Sequence, residues 1–255
     1  MMLLLDIGNT HTHIGLANDQ RILRSRDFAT ADVRAGNLLP ALQRWLGRSR
    51  PTRAALCSVV PAATAPAQAA VTELLSKPAY QLNPDTLTGV GIDYPRPHTI
   101  GQDRLANAVA ARARFGAPVV VVDFGTAVTF DVVNRAGNYV GGIIAPGLAV
   151  MTDYLHEKTA LLPQIRIREP RSVIGRNTRE AMLSGAVHGY RGLVRELIGT
   201  LRKELGTRRL PVVATGGYAA LIAQGLPEID AVHPHLTLDG LRLLSLAQSE
   251  NSGRD

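Results

Sequence analysis

Several residue types and motifs are scarce in this chain of 255 residues, and each scarcity excludes a class of protein. Cys57 is the only cysteine, which excludes an internal disulfide and a cysteine-based zinc site. We expect this residue to be a small buried hydrophobic side chain. No apolar run is long enough to span a bilayer, and Asp6 interrupts the first run too early for a signal peptide. The sequence therefore predicts a soluble, cytoplasmic protein that has no membrane partner.

The common nucleotide-binding motifs are also missing. The chain has no G-x-x-x-x-G-K-[ST] loop and no strand-linked G-x-G-x-x-G, so a bound nucleotide would need a different kind of loop. Aromatic residues make up only 4% of the chain against 45% hydrophobic residues overall. We therefore expect alanine-rich helices to fill much of the core.

The charge of the chain is positive but dispersed. Lysine and arginine number 28 against 21 acidic residues, for a formal net charge of +7. This sign suits an anionic ligand such as a nucleotide, and also non-specific contact with nucleic acid. No helical segment, however, carries a dense basic stripe interleaved with aromatic residues. A solvated basic surface is therefore favoured over nucleic-acid binding.

The first motif that indicates chemistry is a carboxylate at the tip of a predicted hairpin. An apolar run, residues 3–5, leads into Asp6-Ile7-Gly8-Asn9-Thr10, and His13-Ile14-Gly15-Leu16 resumes as a second strand. Gly8 would let backbone approach a ligand closely, while Asn9, Thr10 and Thr12 carry donor groups. A phosphate would repel Asp6, so the natural partner of Asp6 is a hydrated divalent cation. Taken alone, such a hairpin is more often only a turn.

The same pattern returns in the second half of the chain. A second apolar run, residues 119–122, ends in Asp123-Phe124-Gly125-Thr126. After each hairpin the periodicity predicts a third strand, a helix, a strand and a further helix. This internal repeat predicts an α/β protein with two duplicated domains facing each other across a cleft, with one acidic tip on each wall. The predicted domains are residues 1–116 and 117–255.

Other segments add detail to this outline. Helical spacing predicts one helix over residues 33–46 and a long one from Thr178 to about Leu205. Residues 83–100 contain three prolines and two glycines, and a loop of this length is usually functional or disordered. A late strand ends in Thr215-Gly216-Gly217, which is either a tight turn or a place where a ligand lies against bare backbone.

Together these motifs resemble those of the type III pantothenate kinases, a bacterial family that includes proteins named Bvg accessory factors. The resemblance covers essentially the whole chain. The motifs that carry it are Asp6-Ile7-Gly8-Asn9-Thr10, Tyr94-x-x-Pro97-x-x-x-Gly101-x-Asp103-Arg104, Asp123-Phe124-Gly125-Thr126-Ala127-x-Thr129, Gly141-Gly142-x-Ile144-x-Pro146-Gly147, Thr178 with Ser184-Gly185, and Thr215-Gly216-Gly217. It implies two ribonuclease H-like domains of the actin-like ATPase superfamily, which also holds sugar kinases and Hsp70. The implied activity is ATP-dependent phosphorylation of pantothenate, the first step of coenzyme A biosynthesis.

The resemblance also implies roles for individual residues. Asp103 would be the general base that takes the proton of the acceptor hydroxyl, and Arg104 would hold an anionic oxygen. Without the resemblance, Asp103 would be interpreted as a dipole-compensating acid or half of a surface ion pair. The implied substrate-binding residues are Tyr94, Gly101, Gln102, Asp103, Arg104 and Thr178. The implied ATP-binding residues are Asp6, Ile7, Gly8, Asn9, Thr10, His11, Thr12, His13 and Thr126.

The implied cofactors are ATP with Mg²⁺ and a monovalent cation, K⁺ or NH₄⁺. Asp6 would face Mg²⁺ and Asp123 would bind the monovalent cation. Thr178 would reach the pantothenate pocket of the neighbouring subunit in a homodimer, although Thr178 could also be a helix N-cap. His11 and His13 make a poor zinc site because no third ligand is near them in sequence. The alternative functions are a transcription-related accessory regulator and a kinase that acts on another alcohol.

Overall fold

The computed structural model describes residues 1–207 and 209–251, so the predicted second domain, 117–255, extends beyond the described residues. The strands are β1 (Met2–Ile7), β2 (His11–Ala17), β3 (Ile22–Ala29), β4 (Arg53–Ser58), β5 (Tyr80–Gln81), β6 (Gly91–Ile92), β7 (Val119–Phe124), β8 (Ala127–Val133), β9 (Asn138–Pro146), β10 (Val212–Thr215) and β11 (Ala231–Val232). The helices are α1 (Thr30–Arg34), α2 (Leu38–Leu46), α3 (Pro61–Leu75), α4 (Gln102–Phe115), α5 (Leu148–Lys158), α6 (Thr178–Glu204), α7 (Ala219–Ala223) and α8 (Leu236–Asn251). Among these described helices, none has the length and hydropathy of a membrane-spanning segment.

The chain divides into two compact units. The first contains residues 1–116, residues 137–140 and the chain from His235 onward, and the second contains residues 117–136 and 141–234. The start of β9 and the final helix α8 therefore group with the first unit. The predicted bounds, 1–116 and 117–255, place the start of β9 and helix α8 in the second domain instead. As limits of functional domains, these bounds stay a prediction.

The sheet of the first unit has the order β3-β2-β1-β4-β5. β1 pairs with β2 in an antiparallel hairpin and with β4 in parallel, so that Asp6 lies opposite both His13 and Cys57. The residues of β1 before Asp6 are fully buried, with helices packed on the sheet. An uninterrupted apolar run is what a strand covered on both faces requires.

The sheet of the second unit repeats this order as β11-β10-β7-β8-β9. β7 pairs with β8 in an antiparallel hairpin and with β10 in parallel, which places Asp123 opposite Thr129 and Thr215. In both units the first strand is central and carries the aspartate as its next-to-last residue. The predicted α/β class and the predicted duplication are therefore confirmed. β6 pairs with residues 138–139 of β9, which belong to the first unit.

Close packing on α4 explains why α8 belongs to the first unit. A Cβ on Gly240 would collide with the Ala106 carbonyl, so the two helices approach through bare backbone. Beside this contact, the Thr237 hydroxyl is 2.9 Å from Asn107 Oδ1 in the buried interface. Asp239 accepts bonds from Arg242 and Arg114 at 2.7 and 2.9 Å. Contacts so distant in sequence leave no local signal, which is why the sequence-based bounds differ.

Candidate active site

The turn between β1 and β2 carries Asp6 at its base and is braced from within. The Gly8 N–H donates to the His11 carbonyl at 3.0 Å, so this amide closes the turn. The Thr30 hydroxyl donates to the Gly8 carbonyl at 2.7 Å and lies 3.0 Å from the Thr12 hydroxyl. A turn held on its inner side in this way presents its outer residues, Asn9 to His11, to solvent.

The residues predicted to bind ATP do not all present their side chains at this turn. The side chains of Ile7 and Thr12 are fully buried. His13 Nδ1 is 2.6 Å from Asp27 Oδ1, which links the ring to the neighbouring strand β3. Among the described residues no group of three or more His, Cys, Asp or Glu side chains is arranged to hold a metal ion. The ATP contacts of these residues stay a prediction.

Cys57 lies beside the Asp6 carboxylate. Its thiol, fully buried, donates to Asp6 Oδ1 at 3.4 Å. Burial first, and then the negative charges of Asp6 and Asp103, raise the pKa of the Cys57 thiol, so it remains a protonated donor. The burial of Cys57 was expected, but its contact with Asp6 was not. The end of β4 thus lies close to both Asp6 and Asp103.

Asp103 occupies the first turn of α4, where its carboxylate folds back over the start of the helix. Asp103 Oδ1 accepts the Arg104 N–H at 2.8 Å. A Cβ on Gly101 would come within 2.5 Å of the same oxygen, so glycine is needed there to leave room for the carboxylate. Burial raises the pKa of Asp103, and this outweighs the lowering effect of the Arg104 N–H and guanidinium charge. A partly desolvated carboxylate of this kind suits a general base.

Gln102 connects the start of α4 to the end of β4. Its side-chain oxygen Oε1 accepts the Ser58 N–H at 2.9 Å. The Ser58 hydroxyl in turn lies 2.8 Å from the Thr64 hydroxyl in α3. The side-chain oxygen of Gln102, a residue predicted to bind substrate, is therefore engaged by the backbone at the end of β4.

Tyr94 and Arg104 are brought together by a third residue, Tyr139. The rings of Tyr94 and Tyr139 meet edge to face with centroids 6.2 Å apart. The Arg104 guanidinium carbon lies 5.8 Å from the centroid of the Tyr139 ring, within cation–π range. Tyr139 is fully buried, whereas Tyr94 is partly exposed. The two predicted substrate residues thus share one aromatic support.

In the second unit, the turn that follows Asp123 is formed by closely packed backbone. The Gly125 N–H donates to the Ala127 carbonyl and the Gly147 N–H donates to the Thr126 carbonyl, both at 3.0 Å. Gly216 has φ +89°, and a Cβ there would lie 2.5 Å from Asp123 Oδ1 and 2.7 Å from the Phe124 backbone. Gly217 faces open space instead. Packing against Asp123 therefore explains Gly216, while Gly217 leaves room for a ligand.

Thr178 is the first residue of α6 and is exposed. The N-cap is Asn177, whose side chain accepts the Glu180 N–H at 3.0 Å. The alternative interpretation of Thr178 as the N-cap is therefore wrong, and its hydroxyl is not used for capping. Its predicted contact with substrate stays a prediction.

Sequence reasoning missed three residues that support this site: Cys57, Ser58 and Tyr139. Cys57 and Ser58 are the last two residues of an apolar strand, and Asp6 and Asp123 lie next to the end of theirs, so that position was a usable signal. Tyr139 follows the turn at Gly137 and begins a strand, which resembles many core positions. No local pattern distinguishes it, since its partners lie more than thirty residues away.

Comparison with known proteins agrees with the resemblance seen in the motifs. The sequence profile of the family described as type III pantothenate kinase matches residues 2–200. A type III pantothenate kinase of Akkermansia muciniphila is 51% identical over 241 residues, which cover 94% of this chain and 96% of the relative. One from Methylacidiphilum infernorum is 44% identical over 254 residues, covering 95% of this chain and 87% of the relative.

The solved structures identify the same fold at lower identity. A Sinorhizobium meliloti protein described as a 2-dehydro-3-deoxygalactonokinase superimposes with a TM-score of 0.63 at 16% identity, and the match covers 97% of this chain and 96% of the other. The two duplicated α/β units are thus those of the actin-like ATPase and sugar kinase fold, as predicted. Because the profile spans most of the chain and both relatives exceed 40% identity over nearly their full length, this chain belongs to the type III pantothenate kinase family.

Proposed function

We propose that this chain catalyses ATP-dependent phosphorylation of pantothenate to 4'-phosphopantothenate, with Asp103 as the general base. Membership of the family supports the reaction, which is the first step towards coenzyme A, and favours it over the transcriptional regulator. The observation that carries the base assignment is the Asp103 carboxylate, half-buried at the start of α4 with a raised pKa and with Arg104 next to it.

The first unit supplies groups for the acceptor. Asp103 would accept the proton of the primary hydroxyl as the oxygen attacks the γ-phosphorus, and a carboxylate suffices because phosphoryl transfer depends mainly on positioning. Arg104, whose guanidinium lies near the Tyr139 ring, would hold an anionic oxygen of substrate or phosphoryl group. Tyr94 would form part of the pantothenate pocket. Both roles require a fixed side chain, and both Tyr94 and Arg104 contact the ring of Tyr139.

The nucleotide would be bound as its complex with a divalent metal. Asp6 is a hard oxygen donor, and Mg²⁺ retains most of its waters, so one carboxylate can hold it in this way. Mg²⁺ would supply charge neutralisation at the phosphates. We assign the monovalent cation, K⁺ or NH₄⁺, to Asp123 and a phosphate contact to Thr126. The open face of Gly217 would receive the adenosine.

The second unit exposes apolar side chains that suit a homodimer. Leu161, Ile174 and Tyr154 are 89%, 78% and 59% exposed, and Val150, Met151, Leu155 and Val173 are exposed as well. So many exposed apolar side chains on one helix and the segment that follows it are unusual for a monomer. We assign a second copy of the chain as the partner because the exposed segment leads along the chain to Thr178, the residue predicted to reach the neighbouring subunit's substrate.

The activity is tested directly with purified protein, ATP, Mg²⁺, K⁺ and pantothenate. We expect ADP and 4'-phosphopantothenate to form in equal amounts. Absence of product at every K⁺ and NH₄⁺ concentration would contradict the proposal. A panel of other small alcohols separates a pantothenate kinase from a kinase with a different acceptor, since only the preferred acceptor should combine high kcat with low KM.

A further inference from the structure

The last two residues of β4, Cys57 and Ser58, form hydrogen bonds at Asp6 and next to Asp103, respectively. The Cys57 thiol donates to Asp6 Oδ1 at 3.4 Å. The next residue, Ser58, donates its N–H to Gln102 Oε1 at 2.9 Å, and Gln102 directly precedes Asp103. One strand end is therefore bonded both to Asp6 on β1 and to the helical turn that carries Asp103.

The sheet register explains why this strand end is available. β4 pairs with β1 as far as Ser58, but β5 ends its pairing at Gln81, opposite Leu56. Beyond that point the Ser58 N–H has no strand to donate to on the β5 side, and the Gln102 side chain accepts it instead. A backbone donor at a part-buried position strongly favours a partner, so this bond ties the first turn of α4 to the sheet.

We propose that Gln102 and Cys57 are positioning residues that hold Asp103 and Asp6 at the end of β4. This inference rests on the proposed function and deepens it. Gln102 would then act through Asp103 rather than by touching pantothenate. Such a role suits phosphoryl transfer, where a displacement of about 1 Å at the reacting groups can cost about a hundredfold in rate.

The main test replaces Gln102 and measures kcat and KM separately for pantothenate and for ATP. Gln102→Leu removes the acceptor at similar size, and we expect kcat to fall at least about tenfold while both KM values stay within about twofold. Gln102→Glu keeps an oxygen that can accept the Ser58 N–H, so it should restore most of the lost kcat. The matched control is Gln43→Leu at an exposed position of α2, which should behave as the wild type.

A second measurement asks whether the bond exists in solution. Amide hydrogen exchange at Ser58 should be at least about tenfold faster in Gln102→Leu than in the wild type and slow again in Gln102→Glu. Unchanged exchange in Gln102→Leu would overturn the inference. A raised KM for pantothenate with unchanged kcat would also overturn it, because that result assigns Gln102 to substrate binding. So would faster exchange combined with wild-type kinetics.

Cys57 is tested through the dependence of the rate on Mg²⁺ concentration. Cys57→Ala removes the donor to Asp6 and should raise the Mg²⁺ concentration that gives half-maximal rate by about threefold or more, whereas Cys57→Ser keeps a donor and should rescue it. Equal Mg²⁺ dependence in all three proteins would overturn this part. If the wild type itself forms no phosphopantothenate, the proposed function fails; if the wild type is active and the variants match it, only the positioning role fails.

Discussion

At the scale of single residues, the decisive feature is the effect of the surroundings on the pKa of the Asp103 carboxylate. Its neighbour Arg104 would lower the pKa, as in an ordinary ion pair, but desolvation has the larger effect and raises it. If Asp103 were only a dipole-compensating acid or half of a surface ion pair, the lowering effects on its pKa would exceed the effect of desolvation. Asp103, in the first turn of α4, therefore has the raised pKa that the proposed general base requires.

Replacing Asp103 by asparagine should abolish most of the turnover. The amide has nearly the same shape but cannot accept the hydroxyl proton, so we expect kcat to fall by about 10²–10⁴-fold with little change in either KM. Steady-state kinetics measures the loss, and a thermal melt checks that the fold is retained. Turnover close to that of the wild type would remove Asp103 from the base role.

The raised pKa of Asp103 predicts a pH dependence. The base must be ionised, so kcat/KM for pantothenate should be full at pH above the pKa and fall as the pH drops through it. Because burial raises that pKa, the acid limb should lie above the ordinary aspartate value of about 3.9. In Arg104→Gln the lowering charge is lost and the limb should move to higher pH. A limb at or below the ordinary value, or one that moves down in this variant, would contradict the assignment.

At the scale of elements, two adjacent glycines should differ sharply. Gly216→Ala places a methyl group against Asp123 at positive φ, and we expect a loss of about 1–3 kcal/mol in the free energy of unfolding. Gly217→Ala enters open space and should change stability by less than about 0.5 kcal/mol. If adenosine lies on that face, Gly217→Ala should still raise the KM for ATP. Urea denaturation and ATP titration separate the two effects.

The packing of α8 on α4 gives a second comparison of glycines. Gly240→Ala would drive a methyl group into the Ala106 carbonyl, so it should destabilise the fold by about 1–3 kcal/mol or more. Gly199 lies within α6 with nothing near its Cβ position, and Gly199→Ala should stabilise by about 0.5–1 kcal/mol, since glycine is a poor helix former. Equal effects of the two substitutions in urea denaturation would show that the interface is not close-packed.

Some elements could be predicted from local sequence and others could not. The helix predicted over residues 33–46 is two helices, because Gly36 at φ +79° ends the first and Pro40 is tolerated in the first turn of the second. Residues 83–100, predicted as a loop, contain two short 3₁₀ turns and β6. A strand of two residues that pairs with distant residues 138–139 has no periodicity to detect.

At the scale of the whole molecule, the exposed apolar surface of the second unit predicts self-association. We expect two chains per particle in sedimentation at micromolar concentration. Tyr154→Glu adds a charge to this surface and should shift the protein to single chains, with a loss of activity if the partner completes the substrate site. Gln43→Glu on the first unit is the matched control and should remain dimeric. A wild type that sediments as one chain would contradict the proposal.

The sequence by itself determined most of the strands and helices, the duplication, the two aspartate turns and the family resemblance, because periodicity and turn chemistry are local. Only the tertiary structure decided what surrounds Asp6 and Asp103. The sheet register places Cys57 against Asp6. Because the pairing of β5 stops before Ser58, the Ser58 N–H donates to the Gln102 side chain instead. The packing of α8 on α4 places α8 in the first unit. Each of these contacts joins residues more than forty positions apart, and at such a separation only the folded chain determines which residues are neighbours.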